Sequence, residues 1–462
     1  MLTKEANILK YDQWLLASSI MYIRSVQRTL LLTLLIATNC LAETPPHNGK
    51  APLRPAIIRT KAISPADIKL PSGFSASVVA EDLGPTRHIA ISKTGDIYVK
   101  LAKLKDGKGI YRLRDTNRDG VIDERTGFGD YPGTGIAIKD GYLYASSNSS
   151  IYRYKLNEQG EVISPDQPEL LVSGLRVKTR DQSKSIALDN QNNIYVNIAS
   201  DNDACRETGT GKGMMPCPLL DSAAGIWQFK ASTPNQAFSD GVRFATGLKN
   251  VVGLDWNQKS NSLFVMQHGR GQFHDFYPQF YTPQQSAELP AETMYEVHRG
   301  DDAGWPYIYY DHIQKKKIVA PEYGGDGKKT GGEKTITPLA AFPAHLGPNG
   351  LLFYTGTSFP AAYRNGAFIA FHGQSSALHN GYLVAFVPFK NGKPSGKWEI
   401  FADNFAGTDL VKPTGPVQHR PCGLAQGPDG SLYVTDDLNG TLFRIAYKGT
   451  TPGSKASAAL NK

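Results

Sequence analysis

The sequence predicts an all-β protein, a six-bladed β-propeller of four-stranded antiparallel blades. Three observations lead there. A short two-strand pattern recurs six times, no stretch has a convincing helical period, and glycine (46) and tyrosine (22) are abundant in a chain of 462 residues. Strands joined by tight turns favour such a composition, and all-β folds of this length commonly form a single unit.

The recurring pattern has two parts. The first is a turn leading into an alternating strand: Gly95-Asp96-Ile97-Tyr98-Val99, Gly141-Tyr142-Leu143-Tyr144, Asn193-Ile194-Tyr195-Val196, Ser262-Leu263-Phe264-Val265, Gly366-Ala367-Phe368-Ile369 and Gly430-Ser431-Leu432-Tyr433-Val434. The second follows each of these: Gly109-Ile110-Tyr111-Arg112, Ser150-Ile151-Tyr152-Arg153, Gly225-Ile226-Trp227-Gln228, Thr293-Met294-Tyr295-Glu296, Gly381-Tyr382-Leu383-Val384 and Gly440-Thr441-Leu442-Phe443-Arg444. Period-two alternation between core and outside makes each pair two strands of one antiparallel sheet. A sheet this small cannot bury both faces alone; six packed around an axis can, with only short edges left over. A β-sandwich with irregular spacing is the alternative, but recurrence from Gly95 to Arg444 favours the ring.

At the N-terminus, an apolar run over 30–37 follows Arg24 and Arg28 and precedes the small residues Thr38-Asn39-Cys40-Leu41-Ala42. This is the layout of a secretory signal over 1–42, with Met21 as an alternative start and lipid attachment at Cys40 as a minor reading. The run is shorter than the roughly 20 apolar residues of a spanning helix. A proline-rich basic linker over 43–66, a propeller over 67–449 and a disordered tail over 450–462 complete the expected organisation, and the destination is periplasmic or secreted. An oxidising compartment makes a disulfide natural for Cys205 and Cys217, leaving Cys422 unpaired and buried. No Cys-x-x-Cys pair exists, which excludes a zinc ribbon and a c-type haem site. The net charge of +8 comes from scattered residues with no basic run interleaved with aromatics, so nucleic acid is not the expected partner.

In a ring of blades, residues just before the innermost strands converge on one mouth of the axis. Here they are Arg87-His88, Thr134-Gly135, Asp181 to Lys184, Lys249-Asn250, His345 with Asn349, and His419-Arg420. The excess is cationic, and charges facing one another across a narrow channel need compensation. Either an anionic ligand supplies it, or acidic loop residues such as Asp301 and Asp302 do.

Several segments resemble the soluble quinoprotein sugar dehydrogenases (glucose and sorbosone dehydrogenases): His268-Gly269-Arg270, Pro290-Ala291-Glu292, Gly300-Asp301-Asp302-Ala303-Gly304-Trp305-Pro306, Thr246-Gly247-Leu248-Lys249-Asn250, Pro216-Cys217-Pro218-Leu219-Leu220, Pro321-Glu322-Tyr323-Gly324-Gly325-Asp326-Gly327 and Arg420-Pro421-Cys422-Gly423-Leu424-Ala425. The likeness runs from about Leu70 to Tyr447. It implies pyrroloquinoline quinone lying flat over the axis, with calcium bridging it to backbone oxygens at Gly269 and Arg270. It also implies a sugar substrate and an external electron acceptor. Such chemistry needs a Lewis acid on the quinone, cations for three carboxylates and a base for the hydroxyl proton. Arg87, His88, Lys184, Lys249, Asn250, His345 and Arg420 are the expected cofactor contacts.

Two positions depart from the family pattern. Asp181 stands where relatives place the catalytic histidine, which makes it the expected base, with His268 and then His88 as alternatives. Ala377 stands where the closest relatives carry an arginine. Two other readings remain: a calcium-dependent lactonase-like hydrolase, and a binding propeller without activity. Separately, Asp115, Asn117, Asp119 and Asp123 alternate as oxygen ligands around Gly120, as in a calcium loop, although Thr126 occupies the twelfth position.

Overall fold

A computed structural model describes residues 64–449, apart from 178–181, 272 and 376–378. The expected signal, Cys40, nearly all of the linker, and the tail lie outside the described residues, as do Asp181 and Ala377. Among the described residues no helix is long and apolar enough to cross a membrane.

Six antiparallel sheets form the ring. Their innermost strands are Thr86–Ile91, Ile136–Lys139, Ile186–Leu188, Val251–Asn257, Pro348–Phe353 and Pro421–Gln426, which define blades 1 to 6 in order. Each packs against its two neighbours, and blade 6 returns to blade 1. Blades 2 and 3 gain a short fifth strand, Gln236–Ala237 and Asp301–Asp302, both paired in parallel. Blade 6 closes the circle by taking its outermost strand, Phe74–Ala80, from the start of the domain and pairing it with Leu442–Tyr447. That closure ties the two ends of the domain together without a covalent link.

The alternation in the repeated strands has a different meaning from the one expected. Rather than one face turning outward, both faces are buried, each against a different blade. In Ile97–Lys105, Ile97, Val99 and Leu101 pack with blade 6 residues, while Tyr98 packs toward blade 2. In Ser262–Gln267, Leu263 and Val265 join the core shared with blade 3, and Phe264 and Met266 the core shared with blade 5. Six apolar clusters result, one between each neighbouring pair of blades. Near the axis there is little room. A Cβ on Gly423 would lie 2.4 Å from the Arg87 carbonyl oxygen, and one on Gly350 would lie 2.4 Å from that of Cys422. Glycine lets these inner strands approach.

Within blade 4, insertions carry the helices Phe273–Phe276 and Pro283–Glu288, between its second and third strands, and a hairpin, Ile308–Asp311 with Lys316–Val319, between its third and fourth. They share a small core of Phe273, Tyr277, Tyr281 and Tyr309. The loop after Ile198 is stapled by the Cys205–Cys217 disulfide, with Cys422 free and buried, as expected.

Candidate functional site at the axial mouth

Of the blade-start residues, Arg87, His88 and Arg420 come together at one end of the axis, while Asp181 lies outside the described residues. Asp437, just past the second strand of blade 6, is the hub. Its Oδ1 accepts from Arg420 Nε at 2.8 Å, and its Oδ2 accepts from Arg87 Nη1 at 3.4 Å and from His372 Nδ1 at 3.0 Å. Burial pushes the Asp437 carboxyl up, but the His372 hydrogen bond and the three neighbouring cationic groups outweigh it and hold the group below its usual value. Neighbouring Asp436 fixes the backbone: it accepts from the Arg420 amide at 2.9 Å and from His419 Nδ1 at 2.7 Å. His419 is therefore a structural brace. Arg87 and Arg420 remain 28% and 35% exposed, so two guanidiniums that share one carboxylate still present surface to the mouth.

Two further histidines donate Nε2–H to consecutive carbonyls of blade 5. His88 reaches Asn349 at 2.9 Å and His268 reaches Pro348 at 3.3 Å. Burial drives His88 down to about 4. Burial, followed by the charges of His372, Lys249 and Arg87, drives His268 down to about 3. Both are neutral at physiological pH. His372 is different: its partner is a carboxylate, which only accepts, so Nδ1 carries the hydrogen of that contact and Nε2 has no part in it.

Lys249 is buried and bonded to Asp203 Oδ1 at 2.7 Å. Asn250 Oδ1 accepts from Asn197 and from Ser183 Oγ, both at 3.2 Å. Lys184 is fully buried beneath the blade 3 start. The acids that compensate Arg87, Arg420 and Lys249 are thus Asp437 and Asp203. Asp301 and Asp302 instead accept from the amides of His298 and Gly304. His345 does not join the mouth contacts: it is exposed, with Nε2 on the Ser286 carbonyl at 3.0 Å.

The segment expected to face an ion is held firmly. The Gly269 amide donates to Glu292 at 2.8 Å, and Glu292 is buried, with its pKa raised by that burial. The Arg270 side chain lies over the Phe273 ring and bonds Glu322, whose side chain has no solvent exposure. A guanidinium has no acceptor, so any contribution of Arg270 to an ion would come from its backbone oxygen. Among the described residues no group of three or more His, Cys, Asp or Glu side chains is arranged for a metal. In the Asp115 loop the side-chain oxygens accept from the loop itself: Asp115 from the amides of Asp119 and Gly120, Asn117 also from Asp119, Asp119 from Val121, and Asp123 from Thr116.

Sequence reading missed His372, Asp437, Asp203 and the two buried glutamates. All lie after inner strands or on insertions, and the rule used to find site residues looked only before inner strands.

The fold and site define a six-bladed propeller whose axial mouth gathers two arginines and an imidazole around one buried carboxylate. The chain belongs to the TrAA12-like family, whose model matches residues 68–448. It is 24% identical to an uncharacterised protein of Borreliella burgdorferi over 82% of this chain and 91% of that one. It is 22% identical to a pyrroloquinoline quinone-dependent sugar dehydrogenase of Hypocrea jecorina, over 91% and 96%. Among solved structures, family AA12 of Trichoderma reesei matches with a TM-score of 0.67 at 19% identity, covering 84% of this chain and 99% of that one. The holo pyranose dehydrogenase PQQ domain of Coprinopsis cinerea matches at 0.64 and 18%, covering 84% and 98%.

Proposed function

We propose that the protein is an exported quinoprotein oxidoreductase that oxidises a sugar, or a related hydroxyl or aldehyde compound, with pyrroloquinoline quinone and calcium. The observation that carries this reading is the Asp437 hub: two partly exposed arginines and an imidazole meet at one carboxylate over the axis. Family membership and the names of the relatives support the cofactor and the substrate class.

When bound, the quinone supplies the hydride acceptor and calcium the Lewis acid. Arg87 and Arg420 would hold the cofactor's carboxylates, with Lys249 and Lys184 adding positive field from below. Gly269 and Arg270 would offer backbone oxygens to the ion, steadied by Glu292 and Glu322. His372 Nε2 would take the hydroxyl proton, while Asp437 holds the tautomer and stabilises the imidazolium that forms. The neutral His88 and His268 donate to carbonyls and stay out of proton transfer. Asp181 competes with His372 for the role of base, and electrons pass to an external acceptor.

The purified protein, given quinone, calcium and a panel of aldoses, should reduce an artificial dye. No reduction with any aldose, despite bound quinone, would reject the oxidoreductase reading.

A further inference from the structure

Beside the mouth lies a second cleft, of about 560 Å³, between the disulfide-stapled loop and the Phe273–Phe276 helix. Its lining includes Asn202, Asp203, Arg206, Glu207, Thr210 and Phe276. We propose that this cleft is a saccharide subsite, which takes a further sugar ring of an oligosaccharide whose reacting end sits at the mouth. The proposal rests on the sugar oxidoreductase reading and names its substrate class.

Three observations support it. First, Phe276 is 47% exposed, and the Arg206 guanidinium covers it from 4.0 Å. That guanidinium is itself fixed on Glu322 Oε1 through Nε at 2.9 Å and Nη2 at 2.7 Å, and the Glu322 side chain has no solvent exposure. The ring is therefore held as a rigid platform in an otherwise polar cleft. Exposed aromatic surface costs free energy unless something apolar on one side and polar at its edges covers it. The C–H face and hydroxyl rim of a sugar have that character.

Second, the walls are braced. The Tyr277 hydroxyl donates to the Gly211 carbonyl, and Tyr323 donates to the Cys205 carbonyl at 3.2 Å. The disulfide closes the loop at its base. A preformed cleft spares a ligand the cost of ordering it. Its volume is ordinary for a small-molecule site.

Third, the cleft adjoins the mouth. Asp203 lines it and also holds Lys249 at 2.7 Å, and Lys249 lies close enough to His268 to depress that imidazole. Amide, carboxylate and guanidinium groups together offer the mixed donors and acceptors that sugar hydroxyls use, with no single-sign field that would select a charged polymer.

The test is calorimetric titration of the full chain, without added quinone, with glucose, cellotriose and maltotriose, repeated on Phe276→Ala and Phe276→Trp. At least one trisaccharide should bind more tightly than glucose. Phe276→Ala should weaken that binding roughly three- to tenfold, and Phe276→Trp should keep it. In the quinone-loaded enzyme, Phe276→Ala should raise KM for that trisaccharide, leaving kcat and glucose oxidation unchanged. Trisaccharides that bind no better than glucose, or that bind Phe276→Ala as well as the parent, would overturn the subsite. Trisaccharide binding that depends on Phe276 in a protein that oxidises no sugar would count against the oxidoreductase reading and leave the subsite standing.

Discussion

His372 donates its Nδ1 hydrogen to Asp437 Oδ2 across 3.0 Å, and the carboxylate that receives it also holds both arginines of the mouth. One buried acid thereby sets the tautomer of the imidazole and the position of the cations. This links the group suited to take a proton with the groups suited to hold an anion.

If His372 is the base, His372→Asn should lower kcat by about 10²–10⁴-fold while quinone binding is kept. Asp181→Asn should then cost much less. Stopped-flow reduction of the bound cofactor distinguishes them; the reverse ranking would move the base to Asp181.

Acid stability should depend on the two silent histidines. Their folded pKa values, about 4 for His88 and about 3 for His268, lie below the ordinary 6.5, so the unfolded chain takes up protons first as pH falls. Their stabilisation is complete above pH 6.5 and is lost on descent through about 4 and then about 3. The shifts correspond to about 3 kcal/mol for His88 and about 5 kcal/mol for His268. Urea midpoints measured against pH should fall across that window, and His268→Gln, which keeps a donor for Pro348, should flatten the fall.

Asp255 acts in the opposite direction. It lines an axial cavity of about 440 Å³ bounded by the innermost strands of all six blades, and its Oδ2 accepts from the Phe353 amide at 2.8 Å. Burial pushes its carboxyl up to about 7, so the folded state favours the protonated acid and loses that advantage as pH rises from the usual carboxylate range through about 7. Asp255→Asn keeps an acceptor and removes the charge. Thermal melting at pH 8 should show the variant more stable by about 1–2 kcal/mol; a less stable variant would show that the charge has a partner.

The disulfide closes a loop with a sequence separation of 12. Replacing Cys205 and Cys217 by serine should cost about 2–3 kcal/mol of stability, read as a lower urea midpoint. Hydrogen exchange should rise over residues 202–217 while the blade strands stay protected.

The ring was legible because twelve strands repeat one signal, yet the closure was not. Phe74–Ala80 carries no turn signature of its own; its place beside Leu442–Tyr447 follows from ring geometry rather than from local pattern. The meaning of the alternation was also hidden. Val99 and Tyr98 are both apolar and both buried, and only the packing assigns them to different interfaces. At the site, Arg87, Lys249 and Arg420 could be found because inner-strand starts must converge. Asp437 and His372 lie at the far ends of second strands, which converge on the same mouth by the same antiparallel geometry, and applying that rule to both ends would have found them. His345 satisfied the rule in sequence, but its backbone, at φ 68°, sits in a loop that leads its ring to the Ser286 carbonyl instead.

The central claim is that Arg87 and Arg420, gathered on Asp437, hold an anionic quinone over the axis. Equilibrium titration of the full chain with pyrroloquinoline quinone in the presence of calcium, followed by cofactor absorbance, tests it most directly. One quinone should bind per chain, and Arg420→Gln should weaken it at least tenfold while the thermal midpoint barely moves. Saturation that is absent, or unchanged in Arg420→Gln and Arg87→Gln alike, would contradict it.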